Sequence, residues 1–179
     1  TDKNGTTIRW KADPSIFTET TTYAFDVLAM RLRELAFLNG NITIVFRDER
    51  LTTPREKVYQ FDGGIRQFVS YLNEGKAVIP ADPIFIEGSR DDIVVELAVQ
   101  YNDGYNENIL SFVNDINTKE GGTHLEGLKS ALTKVMNEFL KNNAKLLKKL
   151  DKEEKLTGED VRAGLTAVLS VKVPEPQFE

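Results

Sequence analysis

The sequence predicts a mixed α/β (α+β) protein, because two apolar periodicities alternate along it. Alternation with period two appears at residues 42–47, 93–101 and 165–173, whereas spacings of three and four mark Phe25, Leu28 and Leu32, then Ile65, Phe68 and Leu72, then Leu125, Leu128 and Leu132. Residues 101–129 join the two patterns. They read as a strand end, an Asn102-Asp103-Gly104 turn, a second strand, a Gly121-Gly122 pair and the start of a long helix.

Taken in order, residues 1–12 read as a turn from Asp2 to Gly5 and a strand over 6–11, stopped by Asp13-Pro14. A helix from about Thr22 carries Phe25, Leu28, Ala29, Leu32, Leu35 and Ala36, with Asn39-Gly40 as a left-handed stop. Strands over 42–47 and 57–61 follow, separated by a loop holding Pro54. Gly63-Gly64 opens a second helix, with Ile65, Phe68, Val69 and Leu72 on one side and an end near Gly75. Residues 77–83, with Pro80 and Pro83, read as a loop.

Strands over 84–87 and 93–101 then pair across a charged turn, and Ile93, Val95, Leu97, Val99 and Tyr101 share the face that forms a second core. Residues 109–116 alternate as one strand covered partly on both faces. Thr123 and Glu126 have the spacing of a capping box, worth roughly 0.5 to 2 kcal/mol. Leu125, Leu128, Leu132, Val135, Met136 and Phe139 predict one stripe on the long helix. A lysine-rich segment follows over 141–155. Thr157 with Asp160 caps a short helix, and Leu165, Ala167, Leu169, Val171 and Val173 form a closing strand ended by Pro174 and Pro176.

Composition bounds the function. With 179 residues, 40% hydrophobic and 28% charged, the chain can hold one domain or one domain plus part of another. Without cysteine it has no disulfide, thiol nucleophile or thiolate metal site, which suits a cytoplasmic chain. A net charge of −5 argues against a surface that clings everywhere to nucleic acid, and leaves room for a local basic face. No apolar run approaches membrane-span length and no leader pattern is seen, so neither a membrane association nor secretion is expected. The first residue is not methionine, so the chain reads as a piece of a longer polypeptide.

Few residues carry chemistry. The single histidine, His124, lacks the partners a metal site needs and reads as a local hydrogen-bonding group. Neither a nucleophile elbow nor a phosphate-binding glycine loop is present, and the glycine pairs at 63 and 121 read as strand-to-helix turns. Lys129 and Lys134 lie on the polar side of the long helix. Lys141, Lys145, Lys148, Lys149 and Lys152 extend the positive charge and read as solvated surface.

Four strings carry a resemblance along essentially the whole chain: QYNDGYNENILSFVNDINTKEGGTHLEGLKSAL, GGIRQFVSYLN, LAMRLRELAFLN and LTGEDVRAGLTAVLSVKVPEPQFE. They resemble the family of bacterial DNA gyrase B proteins, which carry the ATPase of a type II topoisomerase. The topoisomerase IV B proteins are the close rival, and YNDGYNENI and EGGTHLEG favour gyrase. The resemblance implies that residues 1–62 are the C-terminal strands and helix of a GHKL-type ATPase sandwich. Residues 63–179 would be a transducer domain with a left-handed β-α-β crossover. It aligns Thr6 with the hydroxyl that reaches the adenine of ATP, and Ile8 with the wall of that pocket. Lys129 aligns with a cation lining the cavity where DNA passes, a position where the family often has arginine.

The family's catalytic glutamate, magnesium-binding asparagine and glycine-rich lid would lie ahead of Thr1, and its phosphate-touching lysine after Glu179. The resemblance therefore implies no catalytic or metal-binding residue in this stretch, and no ATP bound or hydrolysed by it alone. For the intact enzyme it implies ATP and Mg2+ as cofactors. The partners it implies are DNA, the gyrase A protein and a second gyrase B protein that completes a dimer. A nucleic-acid-binding scaffold domain of the same fold is the rival from another class, and a small-molecule kinase is a third.

Overall fold

The computed structural model describes residues 4–143 and 155–178. Their elements are α1 (Phe25–Leu38), β1 (Ile44–Asp48), β2 (Arg55–Tyr59), α2 (Gly64–Leu72), β3 (Val78–Arg90), β4 (Ile93–Asn102), β5 (Asn108–Val113), β6 (Ile116–Asn117), α3 (Thr123–Asn142), α4 (Gly158–Arg162) and β7 (Leu165–Lys172). A two-stranded sheet pairs β1 with β2, and a five-stranded sheet runs in the order β3-β4-β7-β5-β6.

Strand β7 lies at the centre, antiparallel to β4 and parallel to β5. All its residues but Lys172 are buried, so both faces of the sheet need cover. On one face Ala98, Phe112 and Val168 pack with Ile65, Phe68 and Val69 of α2. Each such buried side chain of valine size or larger is worth roughly 1.5 to 3 kcal/mol. On the other face Val99, Leu165 and Ala167 take Leu132 of α3. Because β5 and β7 run parallel, the chain must cross over between them, and it does so through α3 and α4.

Helix α1 belongs to two cores. Phe25 and Ala29 near its start pack with Phe46 of β1, and the Phe25 and Phe46 rings stack at 4.8 Å. Phe37 and Leu38 at its end join the core of α2 and the large sheet, where the Phe37 ring lies 3.6 Å from Phe61 and 4.6 Å from Phe68. Arg31 donates to the Asp115 carbonyl, and Asn39 Nδ2 donates to Asp115 Oδ2 at 3.1 Å. These bonds fix α1 to the turn between β5 and β6.

Several expectations are met by specific contacts. Helix α2 buries Ile65, Phe68 and Val69 as the spacing predicts. Thr157 and Asp160 make both bonds of a capping box. His124 Nε2 lies 2.9 Å from Thr118 Oγ1, a local hydrogen bond.

Others are corrected. Residues 6–11 form no strand, because a strand exists through its ladder and residues 4–12 make no backbone hydrogen bond among the described residues; Ile8 and Trp10 are exposed. Asn39 stops α1 at φ −129°, outside the left-handed region, through its side-chain amide on the Leu35 carbonyl. Residues 109–116 are two strands, because Asn114 and Asp115 at φ 48° and 64° make a tight turn between Val113 and Ile116. Thr123 does not cap α3. The chain enters the helix one residue earlier, at Gly122, and no side-chain cap bond forms, so no capping energy belongs to Thr123.

The stripe on α3 holds in part: Leu125, Leu128, Leu132 and Met136 are partly covered, and its far end departs from expectation. Val135 and Phe139 are exposed, while Leu140 is buried. On the side of Leu140, Asn137 donates its side-chain amide to the Leu156 carbonyl at 3.0 Å and accepts from the Leu156 amide at 2.8 Å, which holds the approach to α4 against α3. Lys145, Lys148, Lys149 and Lys152 lie outside the described residues.

Most of the expected loop over 77–83 is strand, and a buried amide makes this possible. Gln100 Nε2 donates to the Pro80 and Ala81 carbonyls at 2.9 and 3.1 Å, across the register shift between Ile79 and Ile84. Its Oε1 accepts from Asn73 Nδ2 at 2.9 Å, and Asn73 Oδ1 accepts from Thr166 at 2.7 Å. Gln100 and Thr166 are 2% and 0% exposed, so each unpaired group there would be costly.

Two measurements check these assignments. Gln100→Leu, which strands the Asn73 amide and two carbonyls, should cost about 2 kcal/mol or more in urea unfolding, and a loss below about 0.5 kcal/mol would contradict the network's role. Burial lowers the pKa of His124 from its ordinary 6.5, so the unfolded chain takes up the proton first as pH falls. The histidine's contribution is then complete above pH 6.5 and lost as pH falls through the lowered folded value. His124→Gln should flatten the slope of stability against pH in that window; an unchanged slope would contradict it.

Candidate nucleic-acid interface

Lys129 lies on the second turn of α3 with its side chain 25% exposed. Its Nζ stands 3.7 Å from Glu107 Oε1 and 3.9 Å from Glu126 Oε1. Glu107 comes from the loop between β4 and β5, and its other oxygen, Oε2, accepts from Arg162 Nε at 2.5 Å. Arg162, at the end of α4, is 18% exposed and Glu107 41%. Two cations therefore flank one carboxylate.

Three local devices bring these side chains together. The loop after β4 is shaped by Asn102, whose Oδ1 accepts from the Gly104 amide at 2.8 Å. Helix α4 is oriented by its capping box and by the Tyr101 hydroxyl, which donates to the Val161 carbonyl at 2.7 Å. Gly164, between α4 and β7, has φ 73°, and a Cβ there would lie 2.5 Å from the Asn102 carbonyl oxygen. Only glycine lets α4 and the loop come this close.

Beside the cluster, Lys76, Asn102, Asp103, Gly104, Asn106 and Asn108 line an open cleft of about 310 Å³. Tyr105 at the loop tip is 90% exposed. Ammonium, guanidinium and amide groups here can hold an anion. Among the described residues no group of three or more His, Cys, Asp or Glu is placed to hold a metal ion.

Thr6 and Ile8 are exposed on the irregular segment ahead of α1, and among the described residues no hydrogen bond joins them to the cluster. The three residues singled out from the sequence thus fall in two places. Glu107 and Arg162 were not among them. Glu107 lies inside the YNDGYNENI string that carries the resemblance, but it is 55 residues from Arg162, and no local spacing reveals such a pair.

A family described as DNA gyrase B matches residues 64–179. The DNA gyrase B protein of Treponema denticola is 73% identical over 179 residues, covering 100% of this chain and 28% of its own length. Among solved structures, the ATPase domain of Thermus thermophilus gyrase B superposes with a TM-score of 0.76 at 37% identity, covering 93% of this chain and 44% of that one. The topoisomerase IV ATP-binding domain of Francisella tularensis gives 0.70 at 25% identity, covering 89% of this chain and 41% of that one. The chain thus spans less than a third of the Treponema denticola protein. With the family match running across the whole five-stranded sheet and a relative this similar along the full sequence, the chain belongs to the DNA gyrase B family.

Proposed function

We propose that this chain is the coupling part of the ATP-hydrolysing half of an ATP-dependent type II DNA topoisomerase, a cytoplasmic DNA gyrase that introduces negative supercoils. In this reading residues 1–62 complete an ATP-binding lobe, and residues 63–179 form the transducer that passes its movement to the DNA gate. The observation that carries it is the double burial of α1, whose two ends are packed into different cores. A helix held in this way moves as a rigid body with both, so rotation of one unit is delivered to the other. The apolar residues Val45 and Val58, exposed on the small sheet, fit a surface that the rest of an ATP lobe would cover.

Thr6 would then supply a hydroxyl near the adenine and Ile8 an apolar wall. ATP and Mg2+ serve the intact enzyme, whose catalytic base lies outside these residues. DNA, the gyrase A protein and a second copy of gyrase B are the partners. Lys129 would face the passing DNA as a phosphate contact without base preference, since an ammonium provides a point charge and not a paired fork. Topoisomerase IV is the second reading, supported by the fold likeness to the Francisella tularensis domain. The 73% identity to the Treponema denticola gyrase B protein favours the first.

In full-length gyrase B assembled with the gyrase A protein, Lys129→Glu should reduce supercoiling roughly tenfold, on the scale of one lost charge-assisted contact, and reduce ATP hydrolysis without DNA far less. Equal loss of both activities would reject the DNA contact.

A further inference from the structure

We propose that Lys129 and Arg162 form a phosphodiester-binding site in which Glu107 is the resident anion, displaced when a DNA backbone arrives. This rests on the reading of Lys129 as a DNA contact and adds a second cation and an internal competitor to it.

The geometry of Lys129 is that of an unfinished site. A charged N–H···O bond spans roughly 2.7 to 2.9 Å. Lys129 Nζ stands 3.7 and 3.9 Å from its carboxylates and makes no hydrogen bond among the described residues, although its side chain is only 25% exposed. An ammonium with unused donors on a mostly covered side chain can take another acceptor. Arg162 engages Glu107 through Nε alone, and its terminal nitrogens make no hydrogen bond among the described residues. The guanidinium therefore keeps unused donors for a phosphate, with Nη1 lying close over Gly158 and Nη2 the more available of the two.

Glu107 mimics the ligand. It presents Oε1 to Lys129 and Oε2 to Arg162, as the two non-bridging oxygens of a phosphodiester would. The cations are borne by helices α3 and α4, whereas Glu107 sits on a loop and is the most exposed of the three at 41%. It is the group free to swing away. With Glu107 in place, the two cations face the carboxylates of Glu107 and Glu126, and the site exerts little net attraction. Once Glu107 leaves, the balance becomes positive by one charge. The site therefore responds weakly to stray anions and engages DNA that other contacts already hold.

The test uses full-length gyrase B with linear duplex DNA, with binding followed by fluorescence anisotropy from about 50 to 200 mM salt. Glu107→Gln should tighten binding about three- to tenfold at the low-salt end and steepen the salt dependence by up to about one unit of slope, the value of one added phosphate contact. Arg162→Gln and Lys129→Glu should each weaken binding. If Lys129→Glu weakens binding but Glu107→Gln leaves it unchanged or weaker, the resident-anion role is overturned and the DNA contact stands. If Lys129→Glu has no effect, both fall. Should thermal melting show that Glu107→Gln does not fold, Glu107→Asp keeps the charge with a shorter reach and should give a smaller tightening; none would overturn the proposal.

Discussion

The structure depends on α1 being buried at both ends. Its 14 residues span about 21 Å at 1.5 Å per residue, enough to reach from one core to another. Ala36, Phe37 and Leu38 are almost wholly enclosed, and Phe25 and Ala29 nearly so. Removing the helix from either partner would expose aromatic surface on both sides. The small sheet is too slight to stand alone, since a two-stranded hairpin is marginal in water. It is ordered because α1 connects it to the larger body.

The larger body is held by apolar packing and by a polar network that chooses one arrangement of it. Apolar contacts cover both faces of β7, but they do not by themselves set where β3 pairs with β4. Gln100, Asn73, Asn102 and Thr166 favour the observed register, because in it their buried amides and hydroxyl bond one another and the Pro80 carbonyl, and a slipped register would break those bonds. The same end of the sheet carries the loop that delivers Glu107 to Arg162. Order in the buried amides and order in the charged cluster are thus two consequences of one set of bonds.

How much of this can be read from the sequence depends on the range of each cause. Helix α2 was legible because the Gly63-Gly64 entry and the Ile65, Phe68, Val69 and Leu72 spacing are contained in ten residues. The capping box of α4 was legible for the same reason. Thr123 with Glu126 has an equivalent spacing and fails, because the position of Gly122 decides where the helix begins. The strand over 77–83 was hidden by its prolines, and its compensation comes from Gln100, some twenty residues away. Residues 6–11 have a strand's pattern without a strand's partner. Lys129 is marked by the resemblance, whereas its neighbours Glu107 and Arg162 come together only when α4 packs beside the loop.

The coupling proposed for α1 is mechanical and requires the helix and the five-stranded sheet to open together. Native-state hydrogen exchange tests it most directly, by comparing the amides of residues 33–38 with those of β7. If α1 is a rigid link, both sets should exchange with the same opening free energy and respond in parallel to low denaturant. Exchange of the α1 amides by a separate opening, lower by about 2 kcal/mol or more, would mean that the helix frays away from the sheet and cannot transmit movement to it.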